Sequence, residues 1–173
     1  MSVSEELLDV VDENDRVVDV KTRGEIHASH LMHRAIHILL FNSKGEVFLQ
    51  KRSMSKDENP GLWDSSAAGH VDSGESYLAC AVREIEEELG IVPSEPMEAL
   101  FKLPPIAETG FEHSMIYRYY YDGPLCLQAE EIEAGIWVTT EALQQWVEAQ
   151  DDSLTENLIL IWKRYREFNH NLQ

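Results

Sequence analysis

Glu84, Glu87 and Glu88 stand at i, i+3 and i+4 in the run REIEEEL that begins at Arg83. On a helix this spacing gathers three carboxylates on one face within about one turn. Like charges so placed repel, and carboxylates in a last turn oppose the helix dipole, at about a few tenths of a kcal/mol each. A helix that needed only solubility would carry lysines there. The pattern makes chemical sense around a hard cation: Mg²⁺ prefers oxygen ligands and keeps several waters, with Mn²⁺ as the alternative. Three glutamates alone would read as a solvated acidic face. The register around them favours a metal, because Gly69, Glu75, Arg83 and Gly90 accompany the carboxylates at fixed offsets. Gly69 has no side chain, so its carbonyl could approach a cation closely.

The elements that must position these groups follow from periodicity. Leu78, Val82, Ile85 and Leu89 recur at helical spacing and predict an apolar stripe on a helix over 75–89. Ser73 or Gly74 can begin it, Gly90 is the expected stop, and Pro93 lies just beyond. A strand over 62–68 leads into the loop before this helix. Segments 7–11 and 17–22 flank an Asp/Asn-rich turn and read as a hairpin; 35–41 and 47–52 read as a second. Strands over 99–103, 115–121 and 136–138 follow. A helix capped by Thr139 or Thr140 ends near Ala149, and another over 155–168 carries Leu158, Ile161, Trp162 and Tyr165 as core. The order is of the α/β (α+β) class. With no linker, repeat or low-complexity run, residues 1–173 read as one domain.

Read with gaps, the stretch 69–91 is Gly69, five residues, Glu75, seven residues, Arg83, Glu84, Ile85, then Glu87, Glu88, Gly90 and Ile91. It resembles the signature of the Nudix hydrolases at every required position. Seven fixed residues at about 1 in 15 each and two aliphatics at about 1 in 4 give roughly one match in 10⁹ windows. The resemblance implies a mixed sheet between helices and a metal-dependent hydrolase cleaving a phosphoanhydride bond in a nucleoside diphosphate-linked or related substrate. It implies metal ligands at Glu84, Glu87 and Glu88, joined by Gly69, with Glu84 also a candidate base. Arg83 completes the catalytic set and, paired with Glu75, supports the loop and helix. Dimers are common in the family, and the sequence leaves the choice between monomer and homodimer open.

Outside that signature, the first hairpin, His33-Arg34-Ala35, the Pro60-Gly61-x-Trp63 turn and Gly69-His70 resemble the branch that holds isopentenyl-diphosphate isomerases and related hydrolases. Isomerases place a catalytic cysteine immediately before the Gly-His and a glutamate on a later strand. Here those positions are Ala68 and Ser114, beside Glu112 and His113. Alanine cannot move a proton to or from an alkene, so hydrolysis is the expected chemistry. A noncatalytic binding module would not need the three glutamates together. His27, His33 and His70 fall near positions that bind a metal in the isomerases, and Glu112 could join them; retained scaffold histidines are the preferred reading.

Substrate contacts are harder to read. Lys51 and Arg52 could meet phosphate, and Arg118, amid tyrosines, could face the cleft. Glu130, Glu131 and Glu133 precede Trp137, where many Nudix enzymes carry a further metal ligand or base; Glu131 and Glu133 are the candidates, an acidic loop the rival. The formal net charge of −18 argues against nucleic acid as a partner. It also makes a cation necessary for capture of an anionic small molecule. No stretch is apolar enough to span a membrane, and the acidic N-terminus lacks the features of a signal peptide. Two cysteines, Cys80 and Cys126, form no metal spacing or disulfide framework, which fits the cytoplasm.

Overall fold

The computed structural model describes residue 2 and residues 5–172. Strands β1 (Leu7–Val11) and β2 (Val17–Thr22) form the first hairpin. A short helix that periodicity did not reveal, α1 (Arg23–Ala28), follows it directly. Its start is set by a capping box: Thr22 accepts from the Glu25 amide, and the Glu25 carboxylate accepts from that of Thr22. Then come β3 (His33–Phe41), β4 (Glu46–Arg52), β5 (Trp63–Asp64), β6 (Ala67–His70) and α2 (Tyr77–Leu89). The chain ends through β7 (Glu98–Leu103), β8 (Glu112–Tyr120), β9 (Ile132–Thr139), α3 (Thr140–Glu148) and α4 (Glu156–Asn171). Among the described residues no helix is long and apolar enough to cross a membrane.

Seven strands make one mixed sheet, in the order β5-β4-β3-β8-β7, with β6 added against β3 and β9 against β4. The β3–β8 pair is parallel, from His33↔Glu112 to Phe41↔Tyr120. Alternation along β3 sorts the core into two layers. Ile36, Ile38 and Leu40 pack with Cys80, Ala81, Ile85 and Leu89 of α2. Leu39 and Phe41 pack with Leu143 of α3 and Leu158, Ile161 and Trp162 of α4. The sheet therefore lies between helices.

Four local expectations are corrected. The second hairpin meets only at Phe41↔Val47, after which β3 turns to β6 and β4 to β9. The wedge is Ser66, whose hydroxyl donates to the Phe48 carbonyl at 2.6 Å while accepting from the Leu40 amide at 2.8 Å. This insertion also breaks the predicted 62–68 strand into β5 and β6. Helix α2 begins two residues late, because Ser76 is the residue whose side chain caps the Ala79 amide, leaving Glu75 in the loop. The α2 stripe is rotated as well: Leu78 is 50% and Val82 37% exposed. The small side chains of Cys80 and Ala81 let the helix lie close on the sheet, and Glu88 is drawn inside with Ile85 and Leu89.

The β1–β2 hairpin is pinned over the loop that precedes α2. Asp9 accepts from the Ser73 hydroxyl at 2.8 Å and the Gly74 amide at 3.3 Å. At the hairpin tip Asp15 takes Arg34 Nε at 2.6 Å, the Tyr77 hydroxyl at 2.7 Å and the Lys102 ammonium. Burial would raise the Asp15 carboxyl, but these three donors hold it below the usual range.

Candidate active site

The split between β3 and β4 opens a passage into which α2 sends Glu88. Its side chain is 4% exposed, one oxygen accepting from the Ala68 amide at 3.0 Å and the other from the Gln50 amide at 3.3 Å. One turn earlier, Glu84 lies against Gly69: a Cβ on that glycine would come 2.6 Å from Glu84 Cγ and closer still to its carboxyl. Glu87, on the outer side of the turn, has a side chain 51% exposed. Arg83 holds the group together. Its guanidinium grips both Glu75 oxygens at 2.9 Å, and it donates to the His70 carbonyl at 3.2 Å, to Glu84 at 2.7 Å and to Glu87 at 3.3 Å.

Electrostatics distinguish these acids. Burial pushes Glu84 up to about 7, against the pull of Arg83, whose charge is shared with Glu75. Burial, reinforced by the charge of Glu84, pushes Glu88 up to about 8. Glu75 goes the other way, since the Arg83 hydrogen bonds outweigh its burial. Two sheltered carboxyls short of positive charge, with oxygen as the donor atom throughout, fit a hard divalent cation.

A second constellation borders this cleft, a hollow of about 420 Å³ that two of its members, His70 and Glu112, line. His27 comes from α1, His33 from β3, His70 from β6 and Glu112 from β8. Ligand-capable atoms of the three histidines lie within 4.8 Å of one another. One Glu112 oxygen is 2.8 Å from His70 Nε2 and 3.2 Å from His33 Nε2. Those contacts overcome burial and hold Glu112 far below the ordinary carboxylate range. His33 is buried, yet Glu112 raises it, whereas burial lowers His27. Sequence spacing leaves open whether these residues meet. They meet because the parallel β3–β8 register sets His33 beside Glu112 and the β3–β6 register sets Ala35 beside His70.

Cations line the cleft too. Arg52 does so while donating to the Glu58 carbonyl at 3.0 Å and pairing with Asp64 at 3.5 Å. Lys51 stands outside, paired with Glu133 at 3.6 Å. Glu131 lines the cleft and forms an ion pair with Lys56. Arg118 is remote. It shares the β8 face of Glu112 but stands six residues further, about 20 Å along a strand. There Glu98 holds it at 2.6 and 3.0 Å and the Tyr165 hydroxyl at 3.1 Å. Reading the sequence missed Arg23 and Lys56, which also line the cleft. The T-x-x-E capping box is the signal that could have placed Arg23 on a helix; Lys56 has none. Ala68 lines the cleft, and Ser114 is fully buried opposite Ala35 with its hydroxyl unpartnered. Neither supplies an acid or base.

Comparisons with known proteins bear on the family and the fold. Residues 31–158 match the NUDIX domain family. A Yersinia pestis protein described as an uncharacterized Nudix hydrolase is 37% identical over 147 residues, 80% of this chain and 75% of that one. An isopentenyl-diphosphate Delta-isomerase of Serratia proteamaculans is 30% identical over 164 residues, 92% of this chain and 90% of that one. Among solved structures, a Deinococcus radiodurans protein superposes with a TM-score of 0.82 at 28% identity, covering 92% of this chain and 98% of that one. The NUDIX domain of Shewanella oneidensis NrtR, solved with ADP-ribose, shares the fold at 19% identity and a TM-score of 0.62, over 84% of this chain and 97% of that one.

Proposed function

The chain belongs to the Nudix family, and from that premise we propose that it is a divalent-metal-dependent hydrolase of small diphosphates. Its relatives are named Nudix hydrolases, which supports a hydrolase acting on pyrophosphate bonds. The observation that bears most weight is that Glu84, Gly69 and Arg83 line one cleft with Arg23, Arg52 and Lys56, with Glu88 buried one turn behind Glu84 and bonded to the Ala68 amide.

Glu84, Glu87 and Glu88, with the Gly69 carbonyl, would hold Mg²⁺ or Mn²⁺. A bound cation would neutralise the diphosphate and make water more acidic. The chain's own groups do the rest. Arg23, Arg52 and Lys56 grip the anionic substrate, and Arg83 with Glu75 fixes the carboxylates. Glu84, held by Arg83 against Gly69, takes a proton from the water that adds to phosphorus as the bridging P–O bond breaks. Glu131 is the further acid in reach; Glu133 is engaged by Lys51. We assign a second, imidazole-rich metal position to His27, His33 and His70 with Glu112. We read residues 1–173 as one Nudix domain, placed in the cytoplasm on the strength of the free Cys80 and Cys126.

The isomerase reading shares the histidine cluster, but Ala68 and Ser114 leave it without a proton donor and acceptor. The experiment is release of phosphate or nucleotide from a panel of diphosphates with and without Mg²⁺, isopentenyl diphosphate included. Metal-dependent cleavage of one class supports the proposal. Turnover confined to isomerisation of isopentenyl diphosphate would overturn it.

A further inference from the structure

The turn 72–75, which presents Glu75 to Arg83, is held in part by the N-terminal hairpin. Each of its four backbone amides has an acceptor. Two acceptors belong to the turn itself: the Glu75 amide donates to the Asp72 carbonyl at 2.9 Å, and the Asp72 amide to Glu75 Oε1 at 3.1 Å. The other two come from β1. Ser73 donates its amide to the Leu7 carbonyl at 3.0 Å, and Gly74, at φ 81°, donates to Asp9 Oδ2 at 3.3 Å. The Ser73 hydroxyl reaches the other Asp9 oxygen at 2.8 Å.

Asp15 extends this grip along the chain. Its bond to the Tyr77 hydroxyl fixes the first residue of α2. Arg34 spans the two acids, 3.8 Å from Asp9 and 2.6 Å from Asp15. The hairpin thus brackets residues 73–77, with Glu75 between its two anchors. Arg83 takes both Glu75 oxygens and passes the constraint to Glu84 at 2.7 Å. Asp9 is 8% exposed, and neither it nor Asp15 lines the cleft, so contact with substrate is out of reach. A turn that only reversed the chain could leave its outward amides to water. Here a buried carboxylate takes one amide and a hydroxyl, from a hairpin that precedes the matched domain at residues 31–158.

We propose that Asp9 is a positioning residue of the hydrolytic centre: it fixes the turn 72–75 and, through Glu75 and Arg83, sets the Glu84 carboxylate that holds the cation. The inference rests on the reading of Glu84 as a metal ligand. A released turn lets Glu75 retreat from Arg83, whose guanidinium then follows its other acceptors, Glu87 and the His70 carbonyl. Glu84 stays on its helix but loses the bond that orients its carboxyl. Outer partners of metal ligands act on metal affinity in this way.

The test is Mg²⁺ binding to the chelator-treated full chain, followed by titration calorimetry. Mg²⁺ prefers oxygen donors, so the imidazole-rich position contributes little signal. Asp9→Leu should weaken Mg²⁺ about tenfold, the low end for outer-shell partners. Arg34 keeps its bond to Asp15 in that variant, so no charge is stranded. Asp9→Asn still accepts from the Gly74 amide and can meet the Ser73 hydroxyl; it should bind within about threefold of wild type. In a Glu75→Ala background Asp9→Leu should change nothing further, because the route to Arg83 is already cut. An additive loss there would overturn the proposal, as would a fall in Tm with Mg²⁺ affinity unmoved. Whatever Asp9→Leu does to folding, Ser73→Ala removes only the exposed hydroxyl that Asp9 accepts and should weaken Mg²⁺ in the same direction. Glu84→Gln is the reference: Mg²⁺ affinity unmoved by it sinks the metal reading. Affinity that responds to Glu84→Gln but not to the Asp9 and Ser73 variants sinks the role of Asp9 alone.

Discussion

Gly69 and Glu84 are packed so closely that position 69 has no room for a side chain: a Cβ would lie 2.6 Å from Glu84 Cγ and overlap its carboxyl. The overlapping atoms belong to the end of a flexible side chain, so Gly69→Ala should fold normally. What moves is the carboxylate. Misplacement by about 1 Å can cost about 10² in rate. Expected, then, is a hundredfold loss of kcat with an unchanged circular dichroism spectrum and a Tm within a few degrees. Wild-type turnover would remove Glu84 from the site.

Glu88→Gln tests whether the buried carboxylate serves the cation or the fold. Glutamine keeps the shape and still accepts from the Ala68 amide; it loses the oxygen that accepts from Gln50 but removes the charge that burial disfavours. Metal-dependent hydrolysis should fall by at least about 10²-fold. The chelator-treated variant should be no less stable than wild type above pH 8. A collapse in its melting temperature with metal response intact would mean that Glu88 is structural.

The same carboxyls set the pH dependence of the metal-free protein. Glu84 and Glu88 are raised from 4.5 to about 7 and about 8, so the native state binds more protons than the unfolded chain across that interval. Stability then falls as pH rises. Burial lowers His27 and His37, which oppose this trend only below about their ordinary value of 6.5. Above about pH 7 these two no longer oppose the decline, and His33, buried but raised by its contact with Glu112, adds to it, so the carboxyls are isolated by comparing wild type with Glu88→Gln from about pH 7 to 8.5. Calorimetric Tm should decline across that range in chelator, and added Mg²⁺ should flatten the decline. A flat profile without metal would contradict the placement of these groups.

What could be read in the sequence was whatever depends on offsets within one element. The helix (though not its start at Tyr77), its stop at Gly90 (φ 70°) and the placing of its glutamates within about one turn follow from local spacing. The burial of Glu88 does not, because it requires Ser66, from a different segment, to wedge β3 away from β4. Arg118 shows the same limit: alternation assigns a residue to a face, but its height along the strand relative to the cleft is set by pairing. The histidine cluster draws on four elements between residues 27 and 112, and only strand register makes it a site. Arg23 stayed hidden because a six-residue helix is too short for a periodic pattern.

Arg83→Lys should behave as a severe change. Lysine keeps a charge but cannot make the two-pronged contact with Glu75 while also reaching the His70 carbonyl and Glu84. Turnover should drop about 10- to 100-fold, as for other residues that orient metal ligands. Stability should fall by about 1–3 kcal/mol, because Glu75 is left partly buried and underpaired. Urea unfolding and steady-state kinetics measure both. A variant losing stability but not rate would confine Arg83 to the fold.

His27 offers the cleanest test of the imidazole-rich position, since it lies on α1 and away from the Nudix carboxylates. Imidazole and carboxylate donors suit Zn²⁺ or Mn²⁺, and ligation requires neutral rings. Chelator-treated protein should therefore take up Zn²⁺ with a rise in Tm, less so at pH 5.5 than at pH 7.5. Co²⁺ substitution should give a visible ligand-field spectrum. His27→Gln should weaken uptake by about 10²-fold without unfolding the protein, because the Glu112 contacts to His33 and His70 remain. Equal uptake by wild type and variant would leave the cluster as scaffold: two histidines held by one carboxylate, with the His27 ring tilted against them at centroid distances of 5.2 and 5.4 Å.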